Sequence, residues 1–462
     1  MNLSEYTWPR PPGFTPFEHQ KTTTEFLAGN PKAFCFNEQG TGKTASVIWA
    51  VDYLMAIGLV KRVLVICPLS IMKSAWQQDL FKFAIHRTVT VAYGAARKRK
   101  EIIGAGAEFV IINFDGVGIV KKEIIAGGFD LIVVDEASAY KNAQTERWKD
   151  LRDLTKAIKG LWMLTGTPAA QSPVDAYGLA KLVNPQGVSP FFGQFRDTVM
   201  LKMSMYKWIP RANAQRIVHK ALQPAIRFEK ADCLDLPPVT FTEREAPLTP
   251  QQHKFYTILK KQMLIEAAGE EVSAVNAAVQ INKLLQIAGG AVYTDTGEVV
   301  EFDVSNRLNV VQEAIEESSH KVLVFVPFTH TIELLEKHLT KNGILCEVIN
   351  GDVPVNKRTD IVKQFQEQAN PKVLIIQPKA ASHGLTLTAA NTVIWYAPCS
   401  SVETYLQANA RIDRPGQVNH MTVVHIKGSP IEARMYAMLQ NNIDNHQKVV
   451  DLYKQEIFSS DY

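Results

Sequence analysis

The stretch NEQGTGKTAS, residues 37–46, carries the residue types that wrap a phosphate: a Gly-Thr-Gly turn followed directly by Lys-Thr. A loop of this kind, leaving a buried strand and opening a helix, aims several backbone N–H groups at one point, at the positive end of the helix dipole. Gln39, Gly40, Thr41 and Gly42 would form that loop. Gly40 and Gly42 let the backbone come close, Lys43 would reach the β- and γ-phosphates, and the Thr44 hydroxyl would hold Mg2+. One position is out of pattern, because the commonest phosphate loop has a glycine where this chain has Asn37. The plain alternative is a tight turn beside a solvated lysine, and the strand, loop and helix context weighs against it.

Other chemistry-bearing residues follow along the chain. LIVVDEAS, residues 131–138, delivers two carboxylates off the end of an apolar run, at the edge of an α/β sheet where ligands sit. Burying such a pair calls for a cation. Asp135 would hold Mg2+ through its water shell, and Glu136 would orient and deprotonate an attacking water. An acidic helix N-terminus would explain one of the two carboxylates only. LTGTPAAQ, residues 164–171, is good turn chemistry by itself and gains meaning from its place after the loop and the acidic pair. In YLQANARIDRPGQ, residues 405–417, Arg411 and Arg414 are three apart, hence on one face if that segment is helical. Phosphoryl transfer needs cations that stabilise charge developing on the γ-phosphate; taken alone, the pair reads equally as solvated arginines.

The elements that must position these residues are legible as a repeated unit. Short Val- and Ile-rich runs at 32–36, 62–68, 108–114, 130–136 and 161–168 alternate with longer segments of helical period. Such runs suit strands buried on both faces of a parallel sheet covered by helices. A second series lies at 321–327, 346–350, 372–378, 392–398 and 421–427. The expected fold class is therefore α/β, with two doubly wound parallel-sheet lobes and a helical insertion between them. The expected boundaries are 1–240 for the first lobe, with helical material at about 185–235, then a helical hinge at 241–305 and a second lobe at 306–462. A last helix is expected from Pro430 to about Gln455.

Composition bounds the class. The 462 residues exceed what one core usually supports. Fifty Lys and Arg against 46 Asp and Glu give a net charge of +4, which permits a nucleic-acid partner without demanding one. Five scattered cysteines, with no CxxC, support neither a zinc site nor a disulfide framework and point to a reducing compartment. No apolar stretch reaches the roughly 20 residues that span a bilayer, and the start lacks a leader pattern, so a cytoplasmic protein is expected, in a bacterial or phage-infected cell. The basic run ARKRK, residues 96–100, reads as a patch or as a solvated helix face. Trp76 reads as core, and His19, His330 and His383 have no metal-like spacing.

At these residues the chain resembles superfamily-two helicases, and especially the Swi/Snf-type ATPases. NEQGTGKT resembles their phosphate loop, which commonly reads DEMGLGKT and does not keep the extra glycine. CPLSIMKSAWQQD (67–79), DEAS and TGTP are similar to the family's next motifs, VLVFVPFTHTIELLEKHL (322–339) to its fourth, ASHGLTLTAANTVIWYAP (381–398) to its fifth and QANARIDRPGQ to its sixth. Gly351, Arg358 and Phe365 keep a further family spacing. Ser138 stands where Swi/Snf-type chains usually have histidine, His383 where glycine is common and Pro415 where an aliphatic residue is frequent. The stretch 185–306 is also shorter than the eukaryotic remodellers' insertions, which points to a compact bacterial or phage member.

The resemblance implies RecA-like lobes and further roles. Gln20 would read the adenine edge, Gly384 would let the backbone approach nucleotide or strand, and Arg411 and Arg414 would complete the ATP site from the second lobe. Ser70, Lys73, Asn113, Phe328, Thr329 and Thr386 would contact nucleic-acid phosphates, contacts that position a backbone without reading sequence. The implied activity is ATP-dependent translocation along double-stranded DNA, with ATP and Mg2+ as cofactors and no membrane partner. A true helicase or annealing motor on forked DNA or RNA, and an ATP-gated clamp with little turnover, are the alternatives.

Overall fold

The apolar runs become strands in the computed structural model, which describes residues 3–166, 168, 172–204, 208–233, 236–269, 274–293, 298–381 and 385–441. Contacts group the chain into two units, Met1–Asp235 and Leu236–Tyr462.

The first unit is built on β1 (Lys32–Cys35), β2 (Val63–Cys67), β3 (Val89–Ala92), β4 (Phe109–Asn113), β5 (Leu131–Asp135) and β6 (Gly160–Leu164). A small hairpin follows, β7 (Met200–Lys202) with β8 (Trp208–Pro210), and then β9 (Ala225–Ile226). The main sheet runs β3-β4-β2-β5-β6-β1-β9, with every neighbouring pair parallel. Strand period sends alternate side chains into two separate cores. Phe34, Ile66, Ile112, Val134 and Met163 enter one, and Cys35, Val65, Ile111, Val133 and Leu164 the other. The helices Glu18–Gly29 (α1) and Lys43–Ala56 (α2) flank the strand β1 and pack on each other.

The second unit carries β10 (Val239–Glu245), the antiparallel pair β11 (Ala291–Tyr293) and β12 (Val299–Glu301), then β13 (Lys321–Phe325), β14 (Cys346–Ile349), β15 (Val373–Ile376), β16 (Ala390–Trp395) and β17 (Met421–Lys427). Its parallel sheet runs β10-β17-β16-β13-β15-β14. His425 on β17 is fully buried, its Nε2 2.8 Å from the Tyr405 hydroxyl and its ring stacked 4.2 Å from that of Tyr436.

One expected element is placed differently, one strand is additional, and one helix is described only in part. The stretch 241–305, read from sequence as a hinge, is part of the second unit's body. β10 adds an edge strand along β17, and the helices Pro250–Gly269 and Ala274–Gly289 share a core with Ile431 and Met435. Strand β3 was not anticipated, because Val89–Ala92 alternates polar and apolar residues at the sheet edge instead of forming an apolar run. The last helix is described as Pro430–Gln440, and its expected continuation to Gln455 lies outside the described residues. Among the described residues no helix is long and apolar enough to cross a membrane.

Candidate functional site

The phosphate loop joins the C-terminal end of β1 to α2, and two glycines make its turn possible. Gly40 and Gly42 have φ of +86° and +76°, where a side chain is strained. A Cβ on Gly42 would also stand 2.2 Å from Gln20 Nε2. Thr41 is buried; its hydroxyl donates to the Glu38 carbonyl at 2.8 Å, and its own carbonyl accepts from His19 Nε2 at 2.8 Å. The Lys43 ammonium donates to the carbonyl oxygens of Asn37 at 2.6 Å and Glu38 at 3.0 Å. Gln39 Oε1 is a buried acceptor that lacks a partner among the described residues. Thr44 follows Lys43 in the first turn of α2.

Asn37, the residue that breaks the common pattern, is almost fully buried. Its Nδ2 donates to Thr23 Oγ1 at 2.8 Å, and its Oδ1 accepts the Phe228 N–H at 3.0 Å. One carboxamide thereby ties α1, the loop and the segment after β9 together, which a glycine has no atoms to do. Backbone bonds extend the tie: Phe36 N donates to Ile226 O at 2.8 Å and Glu38 N to Phe228 O at 3.0 Å, while Glu38 Oε2 accepts from Lys230 N at 3.0 Å. Gln20 is buried with Oε1 accepting the Phe17 N–H at 3.0 Å, so its carboxamide caps α1 and lies against Gly42.

The acidic pair ends β5, two strands from β1 with β6 between them. Asp135 Oδ2 accepts the Trp76 indole N–H at 2.9 Å, and Oδ1 accepts the Glu136 backbone N–H at 3.0 Å. Burial pushes the Asp135 carboxyl up from the ordinary carboxylate range; the Trp76 hydrogen bond, the charge of Lys43 and the Glu136 N–H oppose that. Glu136 has φ +54° and ψ 54°, a left-handed backbone rare for a residue with a side chain. Between the two strands, Thr165 N donates to Cys35 O at 3.1 Å and Gly166 lies against Gln39, while Thr167 is outside the described residues.

Mg2+ fits this donor set. Thr44 and Asp135 are hard oxygen donors, and among the described residues no group of three His, Cys, Asp or Glu forms a cage. A hydroxyl and a carboxylate of this kind would suit Mg2+ held together with substrate phosphates.

In the second unit the helix Val402–Asn409 stops before the arginines, so the condition for their sharing a helical face is not met. They lie in the turns that follow. Arg411 is buried, with Nε donating to Gln407 O at 2.8 Å and Nη1 to Leu385 O at 3.2 Å. Arg414 Nε donates to Ala410 O at 2.9 Å and its Nη1 to Thr386 Oγ1 at 3.2 Å. Buried Gln417 holds the turn by donating to Ala390 O at 2.8 Å. Gly384 lies outside the described residues.

The candidates for nucleic-acid contact divide. Lys73 is exposed in a π-helical turn, Met72–Gln77, just after Ser70. Asn113 is buried, and its Oδ1 accepts from Arg99 Nη1 at 2.9 Å, which places its carboxamide inside the fold. Arg99 also donates to Ala92 O and Gly94 O, so the ARKRK run is not a wholly solvated face. Phe328 is half-buried as N-cap of the helix Thr329–Lys341, and Thr329 opens that helix. His19, Trp76 and Asn37 belong to the site and were not assigned to it from sequence; Asn37 alone carried a signal there, its departure from the loop pattern.

Residues 19–288 match the SNF2-related domain. The chain belongs to the SNF2-related family. Residues 306–416 of this SNF2-related chain match the helicase conserved C-terminal domain. It is 26% identical over 433 residues to "Uncharacterized ATP-dependent helicase MG018" of Mycoplasma genitalium, covering 91% of this chain and 39% of that protein. It is 25% identical over 427 residues to "Chromodomain-helicase-DNA-binding protein 1-like" of Danio rerio, covering 87% of this chain and 40% of that protein. "Putative protein p41" of Acyrthosiphon pisum secondary endosymbiont phage 1 is 25% identical over 437 residues, covering 89% and 92%. The chain thus spans about two fifths of the first two relatives and nearly all of the phage protein.

Proposed function

We propose that this SNF2-related chain hydrolyses ATP and uses the energy to move along double-stranded DNA. The observation that carries the reading is the placement of the phosphate loop at the C-terminal end of β1 and of Asp135, followed by Glu136, at the C-terminal end of β5, two strands apart along one edge of the same parallel sheet. Lys43, now bonded to loop carbonyls, exchanges them for β- and γ-phosphate oxygens; Gln39, Gly40, Thr41 and Gly42 offer backbone N–H groups, and Gln20 meets the adenine edge. Thr44 and Asp135 hold Mg2+, which when bound neutralises charge on the phosphates. Glu136 orients the attacking water and takes its proton. Arg411 and Arg414 supply the cations that stabilise charge on the transferred group.

Ser70, Lys73, Phe328, Thr329 and Thr386 are proposed to contact the DNA backbone, Lys73 being the most exposed of the first unit's candidates. Asn113 is proposed to act there only through its bond to Arg99. The likeness to a phage protein and to a Mycoplasma helicase supports a place in a bacterial or phage-infected cell.

The test is steady-state ATP hydrolysis without nucleic acid and with duplex, single-stranded and forked DNA and RNA, at several salt concentrations because phosphate-dominated binding weakens steeply with salt. Stimulation by plain duplex is the expected result. Stimulation confined to forks, single strands or RNA replaces this reading with a helicase or annealing motor. Glu136→Gln is expected to retain ATP binding while turnover falls about a hundredfold or more; unchanged turnover removes the role given to Glu136.

A further inference from the structure

A hydrogen bond joins the segment proposed to touch DNA to the carboxylate proposed to hold the metal, and it does so inside the first unit. Ser70 and Lys73 lie just after β2, and the chain from Met72 to Gln77 winds as a π-helical turn before continuing as the α-helix Gln78–Phe83. A π-turn inserts an extra residue into a helix and changes where the side chains after it point. Trp76 is the large side chain in that turn, fully buried in the core that also holds Ile111 and Val133. Its indole N–H ends 2.9 Å from Asp135 Oδ2. The strands β2 and β5 are neighbours, with Ile66 opposite Val134, so the segment leaving one strand reaches the end of the next. The second Asp135 oxygen receives the Glu136 N–H, and Glu136 is held in a left-handed conformation. The path from the exposed Lys73 turn to the water-activating residue is therefore one buried indole and one carboxylate long.

We propose that Trp76 is a positioning residue for hydrolysis: its indole N–H fixes the Asp135 carboxylate, and its place in the Lys73 turn makes that fixing respond to duplex DNA bound there. The proposal rests on the functional reading above. Core packing alone would be served by any large apolar side chain. An indole with its only donor directed at a catalytic carboxylate serves a second purpose, since an N–H bonded to a charged group is among the stronger hydrogen bonds a protein makes.

The test is Trp76→Phe in the full chain, which keeps a ring in the core and removes the N–H. Three quantities are read: the Mg2+ midpoint for binding a fluorescent ADP analogue, affinity for duplex DNA without nucleotide, and ATP turnover with and without duplex. The Mg2+ midpoint is expected to rise about tenfold, and kcat with duplex to fall about tenfold, while KM for ATP moves less than about twofold. Duplex affinity is expected to stay unchanged. Leu80→Ala opens a cavity in the same core and serves as the control, with a lower melting temperature and an unmoved Mg2+ midpoint. An unmoved midpoint in Trp76→Phe, or an equal rise in Leu80→Ala, overturns the proposal. If the Phe chain is not recovered folded, Trp76→His, which retains a ring N–H, decides: a wild-type midpoint supports the proposal and a rise of about tenfold overturns it. A wild-type chain that binds no nucleotide refutes the functional reading and takes this role with it, a result distinct from wild-type behaviour in the Phe variant.

Discussion

Glu136 shows what a single residue gives up for its position. Its left-handed backbone costs about 1–2 kcal/mol for a residue with a Cβ, at the point where the chain leaves β5 directly after Asp135. Replacing it by glycine removes the strain along with the chemistry. Glu136→Gly is therefore expected to raise stability by about 0.5–1 kcal/mol in chemical denaturation while ATP turnover is lost. A lower midpoint would mean that the Glu136 side chain contributes more to the fold than its backbone takes away. Asn37 has the opposite character, a residue whose side chain is wholly structural inside a loop whose backbone is proposed to be functional. Its type stood out in the sequence, yet its partners lie 14 and 191 residues away, and no local pattern announces such bonds.

At the scale of elements, the buried parallel strands were legible because burial on both faces demands unbroken apolar runs. The edge strands β3 and β10 were not, since β3 alternates and β10 is mostly exposed, whereas the edge strand β14 was read. The residues of the phosphate loop and the acidic pair were legible for the same reason, since each sits at the end of a readable strand. Arg411 and Arg414 were singled out by type, and they stand in turns because the helix before them ends at Asn409. Trp76 was read as core and is core, and the direction of its N–H depends on a π-turn that residue periodicity does not signal. The loop itself carries a prediction. Gly42→Ala adds a Cβ at positive φ, 2.2 Å from the Gln20 carboxamide, whose other atom caps α1. A cost of about 1–2 kcal/mol in thermal unfolding is expected, with a raised KM for ATP as Gln20 is displaced. An unchanged KM would separate Gln20 from nucleotide binding.

For the molecule as a whole, buried His425 sets a limit in acid. Burial pushes its pKa down from the ordinary histidine value to about 4, against a small opposing pull from Glu243, while Tyr405, Tyr436 and Phe241 surround the ring. The unfolded chain binds this proton at about pH 6.5 and the folded chain does not, so stability holds above that pH and falls as pH drops toward about 4. The loss attributable to His425 is about 3 kcal/mol, and His425→Phe is expected to flatten that part of the stability curve measured by denaturant titration at each pH. A curve of unchanged slope would assign acid sensitivity to other groups. The tie between Asn37, Glu38 and the segment 226–230 carries a consequence for how the protein is born. Translation delivers every loop and strand-end residue from Gln20 to Gly166 well before Phe228 emerges. A ribosome stalled ahead of Ala225 should thus display a nascent chain with all of the first unit's proposed nucleotide-binding residues and no capacity to retain nucleotide, which would be gained only when the synthesis of this short downstream segment locks the loop in place.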